Sequence, residues 1–207
     1  MTVVAIVLAA GASSRFGSPK LLAPLDGRPI LAHTLDAVAG AGIADVVVVL
    51  GEAAAAVEAS IAWRREHRVV NPRPDDGLAS SLRCGLDAAV TIPGADAALV
   101  VLGDQPAVRP DAIRAVVKAA ASASTVAFPF VRPRYPDDPA PNPVLVRRVA
   151  WALAAGLDGD RGLGSLLASR PDLVHEVAVS GDNPDIDTPA DLAVLAGRVA
   201  GSTEVRP

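Results

Sequence analysis

The stretch Val3 to Leu22 reads VVAIVLAAGASSRFGSPKLL. Val3 to Leu8 are all apolar and show no alternation, the pattern of a strand covered on both faces of a parallel sheet. The run then gives way to small residues, Ala9 to Ser14, followed by Arg15, Gly17, Pro19 and Lys20. A strand that ends in small residues leaves its backbone N–H groups accessible. Two cations on the same loop then complete a place for a polyanion, most simply a nucleoside triphosphate.

Two better-known glycine loops are excluded. A P-loop needs G-x-x-x-x-G-K-[ST], whereas Gly11 and Gly17 lie one residue too far apart and Pro19 stands directly before Lys20. G-x-G-x-x-G is absent as well. Pro19 biases Ser18 towards an extended backbone, so Lys20 is expected on an irregular segment from which it reaches back over the loop. The competing reading is a plain strand–helix turn with a solvated Arg and Lys. The small residues, Arg15 and Lys20 taken together favour phosphate binding.

Composition narrows the class. With 207 residues and a net charge of −4, the chain suits one domain able to bury a core without staples. No apolar run approaches a membrane span, and the strand-like N-terminus carries no basic leader, so no signal peptide is expected. Cys84 is the only cysteine. That excludes an intramolecular disulfide and a thiolate metal site within one chain, and fits a reducing cytoplasm. Aromatic residues make up 3%, which with the acidic charge argues against a nucleic-acid surface.

Outward from the first loop, strands and helices alternate. Asp26-Gly27 signals a turn, and Pro29 suits the first turn of a helix carrying Ile30, Leu31, Leu35 and Val38. Strands are expected at Val46–Leu50, Arg68–Val70, Ala97–Leu102 and Val126–Phe130. Helices are expected over Gly51–Arg65, Leu78–Val90 and Pro110–Ala121. This alternation predicts an α/β fold with a mostly parallel central sheet. Arg132 to Asn142, rich in proline, reads as a long loop or flap. Val144–Val146, strand or helix, a helix at Val149–Ala155, a polar turn and short helix within Leu157–Leu167 and a strand at Leu173–Val179 follow. Thr188-Pro189-Ala190-Asp191 opens the last helix, with Thr as N-cap. A single domain over 1–200 and a polar tail over 201–207 are expected.

Ligands of open parallel sheets sit beyond the carboxyl ends of the strands. Four polar clusters fall there: Gly11–Lys20, Asn71–Arg83, Gly103–Pro106 and Asp185–Asp187. Asp104, at a strand end, is a candidate Mg2+ ligand, because Mg2+ takes one or two carboxylates and completes its shell with phosphate oxygens and water. It reads equally as a turn residue before Pro106. Asp187 is the candidate second carboxylate, otherwise an Asx-turn before Thr188. Alternation around Ile186 leaves open whether Asp185 or Asp187 points inward. Ser80, Ser81 and Arg83 are candidates for a base, sugar or phosphate, against an ordinary polar first helical turn. Arg161 is a candidate for the anionic end of a second substrate, against a surface ion pair. The three histidines have no metal-like spacing.

LAAGASSRFGSPKLL resembles the signature loop of nucleotidyltransferases that act on sugars and pterin cofactors. Together with NPRPDDGLASSLRCGL, LGDQP, GDRGLGSLL and DIDTPADL, the chain from Val4 to about Leu195 resembles the molybdenum cofactor cytidylyltransferase branch. The resemblance implies a Rossmann-like three-layer fold, Mg2+ dependence, and transfer of CMP from CTP to the phosphate of molybdopterin with release of pyrophosphate. It implies a nucleotide site of Leu8, Ala9, Ala10, Gly11, Ala12, Ser13, Arg15, Lys20, Asn71, Ser80 and Ser81. Arg15 would contact the β- and γ-phosphates and Lys20 the α-phosphate, with Asp104 and Asp187 holding the metal. Gln105, Asn142 and Arg161 would face the acceptor, and a molybdoenzyme or chaperone would be the client. The methyl of Ala10 would narrow the base site against a purine. One position departs from the branch: Asn142 stands where a His is expected. A different NTP with another phosphorylated acceptor, and a non-catalytic nucleotide-binding accessory protein, are the alternatives.

Overall fold

The computed structural model describes residues 1–13, 15–122, 127–136 and 142–203. In chain order its elements are β1 (Thr2–Ala9), β2 (Pro24–Leu25), β3 (Arg28–Pro29), α1 (Ile30–Gly40), β4 (Asp45–Leu50), α2 (Ala54–Ser60), β5 (His67–Val70), α3 (Leu78–Val90) and β6 (Ala95–Leu102). Then follow α4 (Pro110–Ala121), β7 (Phe130–Arg134), β8 (Val144–Arg147), α5 (Trp151–Ala155), α6 (Leu163–Ser169), β9 (Val174–Ala178) and α7 (Pro189–Thr203). Seven strands form one sheet in the order β5-β4-β1-β6-β8-β7-β9.

The central place of β1 explains its unbroken apolar run. It pairs in parallel with β4 on one side and β6 on the other. Ala5, Val7 and Ala9 face a core with Leu31, Leu35, Ile113 and Val116 of α1 and α4. Val4, Ile6 and Leu8 face the opposite core, with Leu82 and Leu86 of α3 and Leu163 and Leu167 of α6. Both faces are therefore dry, and alternation has nothing to separate. The result is the three-layer α/β architecture expected from the sequence.

Four details refine or correct the sequence reading. The helix expected over Gly51–Arg65 is only α2: Ile61 turns extended and enters the core. The Glu66 carboxylate then takes the Arg64 backbone N–H at 2.6 Å, holding the chain in a turn. The strand expected at Val126–Phe130 lies later, at Phe130–Arg134; residue 126 is outside the described residues. Arg132 and Pro133, read as the start of a flap, belong to this strand. Arg134 O accepts from Val179 N on the β9 side, so Pro133 faces the side where pairing with β8 has already ended after Val131. No donor is needed there, and proline is tolerated. Residues 137–141 of the expected flap lie outside the described residues.

Third, β8 runs antiparallel to both neighbours, the one reversal in the sheet. Fourth, Pro29 precedes the helix as its N-cap. It closes a hairpin of β2 and β3 in which Asp26 and Gly27 both have positive φ, 50° and 74°, as a tight two-residue turn requires. The last helix starts as its sequence suggests, with Asp191 N donating to Thr188 Oγ1 at 3.2 Å and Thr188 N donating to Asp191 Oδ2 at 2.8 Å. This reciprocal pairing is a capping box with Asp in the third position.

Candidate active site

Strand order reverses at β1, with β4 and β5 to one side and β6 to the other. At such a switch point the loops diverge and leave a crevice. Leu8 pairs with Leu102, and Gly103 N donates to Leu8 O at 2.9 Å. The loop after β1 and the Gly103-Asp104 segment therefore leave the sheet side by side.

The loop after β1 is shaped by its small residues. A Cβ on Gly51, at the end of β4, would lie 2.4 Å from Ala10 O, so only glycine lets β4 pass this closely. Ser13 has φ 54° and Gly17 φ 76°. Phe16 N donates to Ser13 O at 2.9 Å, and Lys20 N donates to Ser13 Oγ at 3.1 Å. Phe16 packs against a small cluster of Leu25, Ile30, Ile186 and Leu195. That contact ties the loop to the segment before α7.

Ile186 is 1% exposed, and its N–H donates to Asp104 O at 3.0 Å. In an extended segment, side chains alternate. With Ile186 buried in the cluster, Asp185 and Asp187 both face the other way, and both line the crevice with Asp104. The question left by the sequence, which aspartate points inward, is answered by both.

Lys20 opens a short 3-10 turn, Lys20–Leu22, and reaches back as expected. Its Nζ lies 2.6 Å from Asp104 Oδ2 and 3.0 Å from Asp187 Oδ1. Arg15, 73% exposed, places Nη1 3.2 Å from Asp187 Oδ2. Burial alone would lower the Lys20 pKa, but the Asp104 and Asp187 carboxylates outweigh it and raise the ammonium above its ordinary value. Asp185 is raised instead, by burial first and by the neighbouring Asp104 charge second, with Gln105 opposing.

A chain of amides holds Asp185. Gln105 Nε2 donates to Asp185 Oδ1 at 2.7 Å, and Asn183 Nδ2 donates to Gln105 Oε1 at 3.0 Å and to Asn142 O at 3.2 Å. Gln105 and Asn183 are buried, and Asn183 Oδ1 has no hydrogen-bond partner among the described residues. Nothing in the sequence marked Asn183.

The crevice opens into a cavity of about 560 Å³, within the range of small-molecule sites. Leu8, Ala10, Gly11, Ala12 and Ser13 line it, as do Arg15, Lys20 and Ser81. Ala9 points into the opposite core. Asn71 is buried and donates to Ser80 Oγ at 2.7 Å and Ser81 Oγ at 3.0 Å. The Ser80 hydroxyl faces the carbonyls of Arg73 and Gly77 at 2.9 and 2.8 Å. Asn71 and Ser80 thus build the loop before α3, while Ser81 reaches the cavity. Arg83 turns away and donates to Ala155 O and Leu157 O, each at 3.0 Å. Gln105 meets Asp185 and Asn183, and Asn142 lines an adjoining hollow. Arg161 is exposed and lines neither. The rim carries two residues the sequence did not single out, Asp75 and Asp160. Their loops touch: Ala79 N donates to Gly159 O at 3.1 Å, and a Cβ on Gly77 would meet Gly159 O at 2.5 Å.

Three carboxylates on two loops, with an ammonium between two of them, are the donor chemistry of a small divalent cation. Among the described residues, no group of three or more metal-ligating side chains is placed to hold an ion.

Comparison with known proteins shows the family. Residues 5–182 match the MobA-like NTP transferase domain. The chain belongs to the MobA-like NTP transferase family. Rv0371c from Mycobacterium tuberculosis H37Rv has a similar structure, with TM-score 0.83 and 34% identity over 95% of this chain and 98% of that one. A second structure of Rv0371c, in complex with manganese, gives TM-score 0.80 and 32% identity over 95% and 99%. A CMP-5'-(3-aminopropyl)phosphonate synthase of Streptomyces rubellomurinus is 48% identical over 79 residues, 34% of this chain and 13% of that protein. The match thus spans about an eighth of that relative's length. Among the described residues, no helix is long and apolar enough to cross a membrane.

Proposed function

We propose that this NTP transferase moves CMP from CTP to the phosphate of an acceptor and releases pyrophosphate, with molybdopterin the acceptor implied by the sequence resemblance. The observation that carries the reading is Lys20, held between Asp104 and Asp187 in the switch-point cavity. The relative whose name includes CMP supports cytidylyl transfer, and the manganese complex of Rv0371c supports a divalent cation.

The loop backbone from Ala9 to Ala12 holds the base and phosphates, and the Ala10 methyl narrows the site against a purine. Arg15 neutralises the β- and γ-phosphates. Lys20 exchanges a carboxylate for the α-phosphate. Asp104 and Asp187 would hold Mg2+ or Mn2+, which supplies charge neutralisation at the phosphates when bound. An acceptor phosphate oxygen attacks the α-phosphorus, and a new P–O bond forms as the bond to the β-phosphate oxygen breaks. The electron pair leaves with pyrophosphate. A phosphate monoester is already a nucleophile near neutral pH, so no general base is required. Positioning and charge neutralisation carry the rate.

A thermal-shift panel of CTP, GTP, ATP and UTP with Mg2+ or Mn2+ tests the donor. Preferential stabilisation by CTP is expected, and preference for GTP or ATP overturns the choice of base. Pyrophosphate release with molybdopterin tests the acceptor. Nucleotide binding without release under every acceptor would instead fit an accessory protein.

A further inference from the structure

Beside the nucleotide cavity lies a hollow of about 90 Å³. Its floor is one face of the sheet: Leu8 of β1, Val100 and Leu102 of β6, Val144 of β8 and Arg132 of β7. Register makes this row continuous. Leu8 pairs with Leu102, Val100 with Val144, and Arg132 follows Phe130 and Val131, the β7 partners of β8. Leu163 and Leu167 of α6 roof it. Leu8, Leu78 and Leu102 line both hollow and cavity, so the two adjoin.

The walls are aliphatic or glycine except at Arg132 and Asn142, and neither a carboxylate nor an aromatic ring lines them among the described residues. Arg132 is already oriented. Its Nε and Nη2 donate to Glu176 Oε1 at 3.0 and 2.6 Å, across the β7–β9 pair. Its Nη1 has no protein acceptor among the described residues. Neither Arg15 nor Lys20 lines the hollow; both line the main cavity.

We propose that this hollow is the acceptor's subsite, and that it takes a short saturated carbon segment attached to the reacting phosphate or phosphonate, with an anionic oxygen beyond it for Arg132. The proposal rests on the nucleotidyl-transfer reading. In-line attack places the acceptor opposite the departing pyrophosphate, which Arg15 holds in the main cavity while Lys20 meets the α-phosphate. Size selects the segment: about 90 Å³ is well short of the roughly 150 Å³ that accepts a benzene ring. Polarity selects it too, because a fused heterocycle would bury several donors and acceptors against a wall with two polar side chains. A pterin ring stays outside, and only the saturated carbon next to its phosphate would enter.

The test is calorimetric titration of methylphosphonate, butylphosphonate and 4-phosphonobutanoate into protein saturated with Mn2+ and α,β-methylene-CTP. Each buried methylene contributes about fourfold in affinity, so butylphosphonate should bind at least about tenfold more tightly than methylphosphonate. The carboxylate of 4-phosphonobutanoate should add a further gain that Arg132→Gln removes. Gly164→Leu adds bulk at the hollow's lining, where a Cβ meets nothing within 4 Å; it should erase the alkyl gain while leaving the melting temperature and the nucleotide analogue's affinity unchanged. Equal binding of methyl- and butylphosphonate overturns the proposal. So does an alkyl gain that survives Gly164→Leu, or a loss of analogue affinity in that variant, which would give the hollow to the nucleotide. If the analogue fails to bind wild-type protein, the nucleotidyl-transfer reading falls, and the proposal with it.

Discussion

Lys20 and Asp104 form a 2.6 Å ion pair across the switch point of the sheet, with the Lys20 side chain only 11% exposed. Asp187, 167 positions from Lys20 in the chain, completes the arrangement at 3.0 Å. The lysine neutralises carboxylates that would otherwise repel one another, and the same ammonium is within reach of an incoming phosphate.

Loss of that ammonium should be felt in turnover. Lys20→Ala is expected to lower kcat for pyrophosphate release by about 10²–10³-fold, the scale of one lost transition-state charge contact. Steady-state kinetics with CTP and acceptor check this, and unchanged turnover would remove Lys20 from the mechanism.

Divalent cations should compensate for the missing lysine charge. Lys20→Met leaves Asp104 and Asp187 without their shared partner and should cost about 1–3 kcal/mol of stability. Mn2+ should restore more stability to this variant than it adds to wild type, and should add little to Asp104→Asn. Thermal melts with and without Mn2+ decide. Equal Mn2+ stabilisation of wild type and Asp104→Asn would contradict the metal assignment.

Two glycines, Gly11 in the loop after β1 and Gly51 at the end of β4, should separate folding from binding. Gly51→Ala places a methyl 2.4 Å from Ala10 O and should destabilise the fold by about 1–3 kcal/mol. Gly11→Ala meets no atom within 4 Å and should leave stability within about 0.5 kcal/mol. It should nevertheless weaken CTP binding, because the methyl stands in the cavity. Urea unfolding and a nucleotide titration on both variants check the contrast.

A surface triad supplies the pH dependence. Burial alone would raise the Asp36 pKa, but Arg64 and Arg28 outweigh it and hold the carboxyl below its ordinary value of 3.8. A depressed folded pKa stabilises above the unfolded value and is lost as pH falls through the folded one. Asp36→Asn should therefore cost about 0.5–1 kcal/mol at pH 7, and the difference should shrink as pH falls below the ordinary value of 3.8 and close once the folded carboxylate is protonated. A cost that persists in acid would mean that packing, rather than charge, holds Asp36.

Much of this was legible in the chain because burial and backbone restriction are local. Val3 to Leu8 announced a strand covered on both faces, and Pro19 announced that Lys20 leaves regular structure. Asp104 stood out at the end of an apolar run. What stayed hidden depends on the packing of distant segments. That Asp185 and Asp187 both face the cavity is set by Ile186 entering a cluster with Leu25 against which Phe16 packs. Asn183 acquires its place through Gln105 and Asn142. Arg132 looked like loop because it opens a stretch rich in proline, and the end of the β8 pairing makes the first of those, Pro133, harmless in the strand.

Pyrophosphate release in the presence of Mn2+ or Mg2+ and a phosphate-bearing acceptor, measured with each of the four NTPs, bears most directly on the central claim. The expected result is metal-dependent release that is fastest with CTP and collapses in Lys20→Ala and Asp104→Asn. CTP-dependent release that is indifferent to both substitutions, or no release with any nucleotide that binds, would contradict it.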